Sequence, residues 1–147
     1  MSSKVRYLLD VNVLIARVFK EHLHHPEVKA WFRSDPEWTL CPFTEAGFLR
    51  FATAPKLGNL SIREATTVLE SLARHPGYDY LSASYDWRSL TKPFFQRIHG
   101  HNQITDGFLL GLAVQENLKL VTFDRTLLHL AGEHVTNVLL LTRGADR

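Results

Sequence analysis

Five short runs of β-forming residues, at 5–9, 38–41, 78–83, 118–123 and 137–141, are separated by segments with helical patterning. The runs are short and apolar, without the solvated face of an antiparallel strand, and only 78–83 alternates. Strands covered on both faces and joined by helices form a parallel sheet, because each parallel connection must cross over it. The pattern predicts a three-layer α/β/α domain over residues 1–147, with a central parallel sheet of four to five strands.

The intervening segments carry their own start and stop signals. Asn12 is suited to cap a helix at 13–19, and Pro26 to open one running to about residue 33. Thr44 is suited to cap 45–54, which Pro55 stops. Ser61 with Glu64 three residues later reads as a capping box opening an amphipathic helix through Ala65, Val68, Leu69 and Leu72. Residues 86–98 read as a helix interrupted by Pro93. The apolar stretch 108–114 reads as a buried helix, and 127–130 as a short helix or loop.

With 45% hydrophobic residues in 147, the chain can fill a core and is not disordered. The lone cysteine, Cys41, excludes a disulfide framework and a thiolate-rich zinc site. The longest apolar stretches fall far short of the roughly 18 residues of a membrane span. The opening MSSKVRYLLD is too short to read as a signal peptide, so a soluble, cytoplasmic protein without a membrane partner is expected. A net charge of +2 does not by itself announce a nucleic-acid partner.

Four acidic residues stand apart. Asp10 closes the first run, Asp124 follows the fourth, and Glu45 and Asp106 fall in the first turns of two helices with apolar bodies. Taken singly, each has a local explanation as a cap, a turn residue or a partner of the helix dipole. In a parallel sheet, however, strand ends and the following helix starts share one rim, which is where ligands bind. Two carboxylates about 4 Å apart repel by about 4 kcal/mol at an effective dielectric of about 20, so a cluster persists only when protons or cations neutralise it. An all-oxygen set selects a hard cation, Mg2+ or Mn2+, and such sites most often act on phosphate esters.

Several stretches carry a family likeness: Leu8-Leu9-Asp10-Val11-Asn12-Val13-Leu14, His24-His25-Pro26 with Ala30-Trp31-Phe32, Thr44 through Phe51, Ile104-Thr105-Asp106-Gly107, and Leu120 through Arg125. In this order and spacing the chain resembles PIN-domain ribonucleases, and more narrowly the VapC-type toxins of bacterial toxin–antitoxin pairs. The resemblance implies Mg2+-dependent endonucleolytic cleavage of RNA, with Mn2+ able to substitute, and a cognate VapB-type antitoxin as partner. It carries the metal and catalytic roles onto Asp10, Glu45, Asp106 and Asp124, and supporting hydrogen bonds onto Asn12 and Thr122. The chain departs from the family's pattern at Gly107, where Ala is usual, and at Arg125-Thr126-Leu127, where Gly and Phe are frequent.

The expected chemistry is in-line phosphodiester hydrolysis, with Asp10 and Asp106 holding the ion and Glu45 and Asp124 completing a second site or orienting water. Arg50, Arg97, His101 and Arg125 are candidate RNA contacts, together with Lys56, Arg88, Lys92 and His99. The His24/His25 and His99/His101 pairs lack the i, i+4 spacing of a helical zinc site. Phe94 and Phe95 are a candidate surface for a homodimer or an antitoxin helix. Three rival readings remain. An aspartyl-phosphate phosphatase of the haloacid dehalogenase kind wants a second acid where Asn12 stands. A receiver-like domain wants a lysine at the rim. A non-catalytic RNA- or protein-binding module of the same fold would not need four carboxylates.

Overall fold

The computed structural model describes residues 4–82 and 84–141. Its strands are β1 (Arg6–Leu9), β2 (Glu37–Leu40), β3 (Tyr78–Tyr80), β4 (Lys119–Thr122) and β5 (Val138–Leu140). They form one sheet in the order β3-β2-β1-β4-β5, and every neighbouring pair is parallel. The third strand is shorter than predicted, because it lies at the sheet edge with Asp79 and Tyr80 exposed; the predicted end at Ala83 lies outside the described residues.

Among the described residues, seven α-helices complete the layers: α1 (Val11–Val18), α2 (His25–Phe32), α3 (Pro42–Thr53), α4 (Ile62–Leu72), α5 (Trp87–Thr91), α6 (Ile104–Gln115) and α7 (Thr126–Ala131). Consecutive strand residues point to opposite faces, so the core divides in two. Leu8 and Leu120 pack with Leu90, Phe94, Phe108 and Leu127 from the α5–α7 side. Leu9 and Val121 pack with Val13, Leu14, Val28 and Phe48 from the α1–α4 side. This is a three-layer α/β/α fold. No helix among the described residues is long and apolar enough to cross a membrane.

Local signals were honoured in part. Ser61 and Glu64 form both bonds of a capping box, at 2.8 and 3.0 Å. Pro93 ends regular helix, and Lys92–Arg97 continues as a 3-10 turn. Two expected caps are displaced. Asp10, not Asn12, caps α1, because its Oδ1 accepts from the Val11 N–H at 2.8 Å. Helix α3 begins at Pro42 after Cys41, and buried Thr44 instead donates its hydroxyl to the Leu9 carbonyl at 2.8 Å, tying α3 to the end of β1.

Strand order reverses at β1. The chain builds outward through β2 and β3, then returns to lay β4 on β1's other side. The crevice beyond the carboxyl ends of β1 and β4 is therefore the topological switch point, where open α/β sheets bind ligands.

Candidate active site

The register of β1 on β4 pairs Leu9 with Val121, which brings Asp10 beside Thr122. The Asp10 N–H donates to the Val121 carbonyl at 3.0 Å, fixing its backbone in the sheet. Asp10 is 6% exposed and held at both carboxylate oxygens: Oδ1 accepts from Val11, and Oδ2 accepts from the Thr122 hydroxyl at 2.8 Å. Burial pushes the Asp10 carboxyl above its ordinary range, against the two hydrogen bonds, and the Asp124 charge adds to the rise.

Asp124 follows β4 directly. Its N–H donates to Thr122 Oγ1 at 3.0 Å, and its Oδ1 accepts from the Thr126 N–H at 2.9 Å and the Thr126 hydroxyl at 2.7 Å. Thr122 thus holds Asp10 with its proton and Asp124 with its lone pair. The Asp124-Arg125-Thr126 turn is a motif that the i, i+2 spacing of Asp and Thr could have signalled.

Asp106 arrives from the other direction. Helix α6 precedes β4 and runs back along the sheet, so its first turn lies at the same rim. Residues 107–113 are all buried, which leaves the helix little freedom to turn. Burial raises the Asp106 carboxyl first, and the charges of Asp10 and Asp124 raise it further, to about 7. The ends of β1 and β4 and the start of α6 bring the three aspartates together on the rim, where one cavity is lined by all three. The ion pairs among the described residues are Lys4–Glu37, Arg6–Asp79 and His24–Glu27, so none of the three is neutralised by a basic side chain.

A cavity of about 580 Å³ opens on this trio, lined also by Asn12, Phe43, Ala46, Gly47, Arg50, Phe51, Ala54 and Thr105. A second, of about 560 Å³, shares Asp106 and Asp124 and is lined by His99, His101, Asn102, Gln103 and Thr126. The carboxylates therefore lie between an aromatic flank carrying Arg50 and a polar flank carrying two histidines.

Glu45 stands apart from the trio. The α3 residues facing the first cavity are 43, 46, 47, 50, 51 and 54, one stripe of a helix with 100° per residue. Glu45 is off that stripe; burial first, and then the charge of the Glu45 carboxylate, raises the Tyr80 and Tyr78 phenols. The four-carboxylate cluster expected from sequence is three in this structure. Arg97 is also redirected: it donates to the carbonyls of Leu130 (2.9 Å) and Pro93 (3.4 Å), bracing the 3-10 turn against α7. Arg125 is exposed between two cavity residues, Thr122 is buried and bonds Asp10 and Asp124, and Asn12 is exposed at the cavity wall. Phe94 is core, whereas Phe95 is 62% exposed. Of the histidines, His24 stacks on Phe123 and His25 bonds the Ala16 carbonyl at 2.7 Å.

Among the described residues no three His, Cys, Asp or Glu side chains form a ready cage for an ion. The donor chemistry nevertheless fits a hard cation. All three groups are carboxylates, none has a cationic partner among the described residues, and burial together with the charges of its two neighbours raises the Asp106 carboxyl.

The PIN domain family model matches residues 7–133. The chain is 39% identical over 140 residues to "Ribonuclease VapC38" of Mycobacterium tuberculosis, covering 92% of this chain and 97% of that protein. It is 31% identical over 126 residues to "Ribonuclease VapC44" of the same species, covering 84% and 89%. In fold it is similar to a toxin–antitoxin complex from Klebsiella pneumoniae (TM-score 0.60, 16% identity, 90% of this chain and 95% of that one). It is also similar to VapBC2 from Rickettsia felis bound to a promoter DNA fragment (TM-score 0.60, 13% identity, 92% and 97%).

Proposed function

The chain belongs to the PIN-domain family with VapC ribonucleases as its homologues, and from that premise we propose that it is a Mg2+-dependent endoribonuclease, the toxin of a toxin–antitoxin pair. The observation that carries the reading is the trio Asp10, Asp106 and Asp124 at the switch point, without a basic partner among the described residues, two of them with carboxyl groups raised by burial and by neighbouring aspartates.

Asp10 and Asp106 hold the ion, and Asp124 completes the set or orients water. When bound, Mg2+ or Mn2+ supplies positive charge that offsets the phosphodiester and makes water more acidic. Thr122 and Thr126 fix the two strand-end carboxylates before substrate arrives, which keeps reorganisation out of the chemical step. Arg50 faces the same cavity and takes a substrate phosphate, and His101 and Arg125 flank the opposite side. A VapB-type antitoxin is the protein partner, in line with the toxin–antitoxin complexes of similar fold. Self-association as a homodimer through exposed Phe95 belongs to the same reading and is checked by light scattering.

The rivals fit less well. An aspartyl-phosphate enzyme of the haloacid dehalogenase kind wants a second acid two positions after the first, and Asn12 stands there. A receiver-like site needs a lysine at the rim, and Lys119 begins β4 at the far end of its strand.

The test is cleavage of total RNA by the purified chain in Mg2+, with and without EDTA, beside an Asp10→Asn variant of unchanged circular dichroism. Cleavage that vanishes with EDTA and with the variant is the expected result. Undiminished cleavage in either arm refutes the metal role of Asp10, and no cleavage in Mg2+ favours the non-catalytic module.

A further inference from the structure

We propose that Phe43 is a stacking platform for one nucleobase next to the phosphate that is cut, an assignment that rests on the nuclease reading. Phe43 opens α3, is 43% exposed, and lines the cavity that holds the three aspartates and Arg50. Its ring centroid lies 4.0 Å from that of Phe108 with 30° between planes. Phe108 is 4% exposed and follows Asp106 by two residues on α6. One side of the Phe43 ring is thus laid on a buried aromatic whose helix also carries a carboxylate of the site. The ring is held at a fixed offset from Asp106, and its remaining surface opens into the cavity.

Single-stranded RNA is recognised by splaying bases onto such rings, and every base has a face that can stack. Arg50 lies seven residues on, two helical turns along the same stripe, where it can hold a phosphate of the same strand. The opposite flank carries imidazole rings, of His99 and His101, beside Asn102 and Gln103, and these offer hydrogen bonds to base edges as well as faces. The base on the Phe43 side is held by its face, with little sequence preference. A nucleic-acid strand is favoured over a protein segment because the ring shares its cavity with the carboxylates and the arginine.

The test uses a short unstructured RNA carrying one 2-aminopurine, walked through the strand, and titrated in Mg2+ with the full chain in an Asp10→Asn background that leaves the probe uncut. The expected result is quenching at one position. Phe43→Leu abolishes it and weakens binding about tenfold, whereas Phe43→Trp retains both. Thermal melts of the variants separate lost stacking from lost folding. In the otherwise unaltered chain, Phe43→Leu raises KM about tenfold and leaves kcat within about twofold, since stacking away from the reacting atoms acts as uniform binding. Absence of quenching at every position overturns the proposal, as does quenching that Phe43→Leu leaves intact. If Phe43→Leu spares RNA binding but weakens capture of a protein partner, the ring belongs to that interface and the proposal falls. The nuclease reading fails separately, by intact RNA after incubation with the unaltered chain, because the fluorescence readout involves no cleavage.

Discussion

The Thr122 hydroxyl donates to Asp10 Oδ2 at 2.8 Å and accepts the Asp124 N–H at 3.0 Å, so one buried side chain sets two carboxylates from separate strand ends. Supporting hydrogen bonds of this kind are worth about 10–100-fold in metal affinity where they have been removed. Thr122→Val keeps the shape and deletes both bonds, and Mn2+ affinity by titration calorimetry is expected to drop by about that factor. Thr122→Ser restores it. Equal Mn2+ affinity in all three chains would show that Asp10 needs no such clamp.

Asp106 titrates at about 7 in the fold against an ordinary 3.8. Between those values the native chain holds a proton that the unfolded chain has released. The stabilising contribution is complete below about pH 4 and is lost as pH rises through 7. Asparagine resembles the protonated acid, so metal-free wild type and Asp106→Asn should melt alike near pH 4. At pH 8 the variant should melt higher by roughly 2–4 °C, a figure held low because the carboxyl is partly exposed. Added Mg2+ should raise the wild-type melting temperature at pH 8 and leave the variant nearly unmoved. Parallel melting curves across the pH range would contradict the burial assigned to Asp106.

The sheet and the aspartates at its rim were readable from sequence because they depend on strand ends. A run of β-formers followed at once by an acid places that acid at the rim whatever the helices do, which is the case for Asp10 and Asp124. Helix phase was not readable. Moving the start of α3 from a Thr44 cap back to Pro42 follows from Thr44 bonding Leu9, a residue 35 positions away. Phase decides which α3 side chains meet the cavity, and no local pattern shows that Phe43 lies on that face and Glu45 off it. The bracing of Arg97 is hidden for a related reason, since one of its carbonyl partners lies in α7, 33 positions on.

Gly111 locks the helix that carries Asp106. A Cβ built there would stand 2.3 Å from the Leu90 carbonyl oxygen and 2.7 Å from its carbon, and backbone cannot rotate away as a side chain can. Gly111→Ala gains about 1 kcal/mol of helix propensity but forces α5 and α6 apart, at about 1–3 kcal/mol for overpacking. The clash outweighs the propensity gain, so the urea midpoint should fall. A rise would mean that α5 shifts freely and does not hold α6.

Glu45 separates a four-carboxylate site from a three-carboxylate one. In this structure it faces Tyr80, off the α3 stripe that lines the cavity. A half-buried group off the cavity stripe adds less to ion binding than a direct ligand, because Coulomb attraction falls with distance. Glu45→Gln should therefore leave Mn2+ affinity within about threefold, while Asp10→Asn removes a buried negative charge and one of its two oxygens and should lower it far more. The same Glu45→Gln change should bring the Tyr80 phenol down toward its ordinary value, read by ultraviolet titration, because the nearby negative charge that disfavours phenolate is gone. If Glu45→Gln abolishes Mn2+ binding as completely as Asp10→Asn, the glutamate swings from Tyr80 into the cavity when an ion binds, and the site has four carboxylates after all.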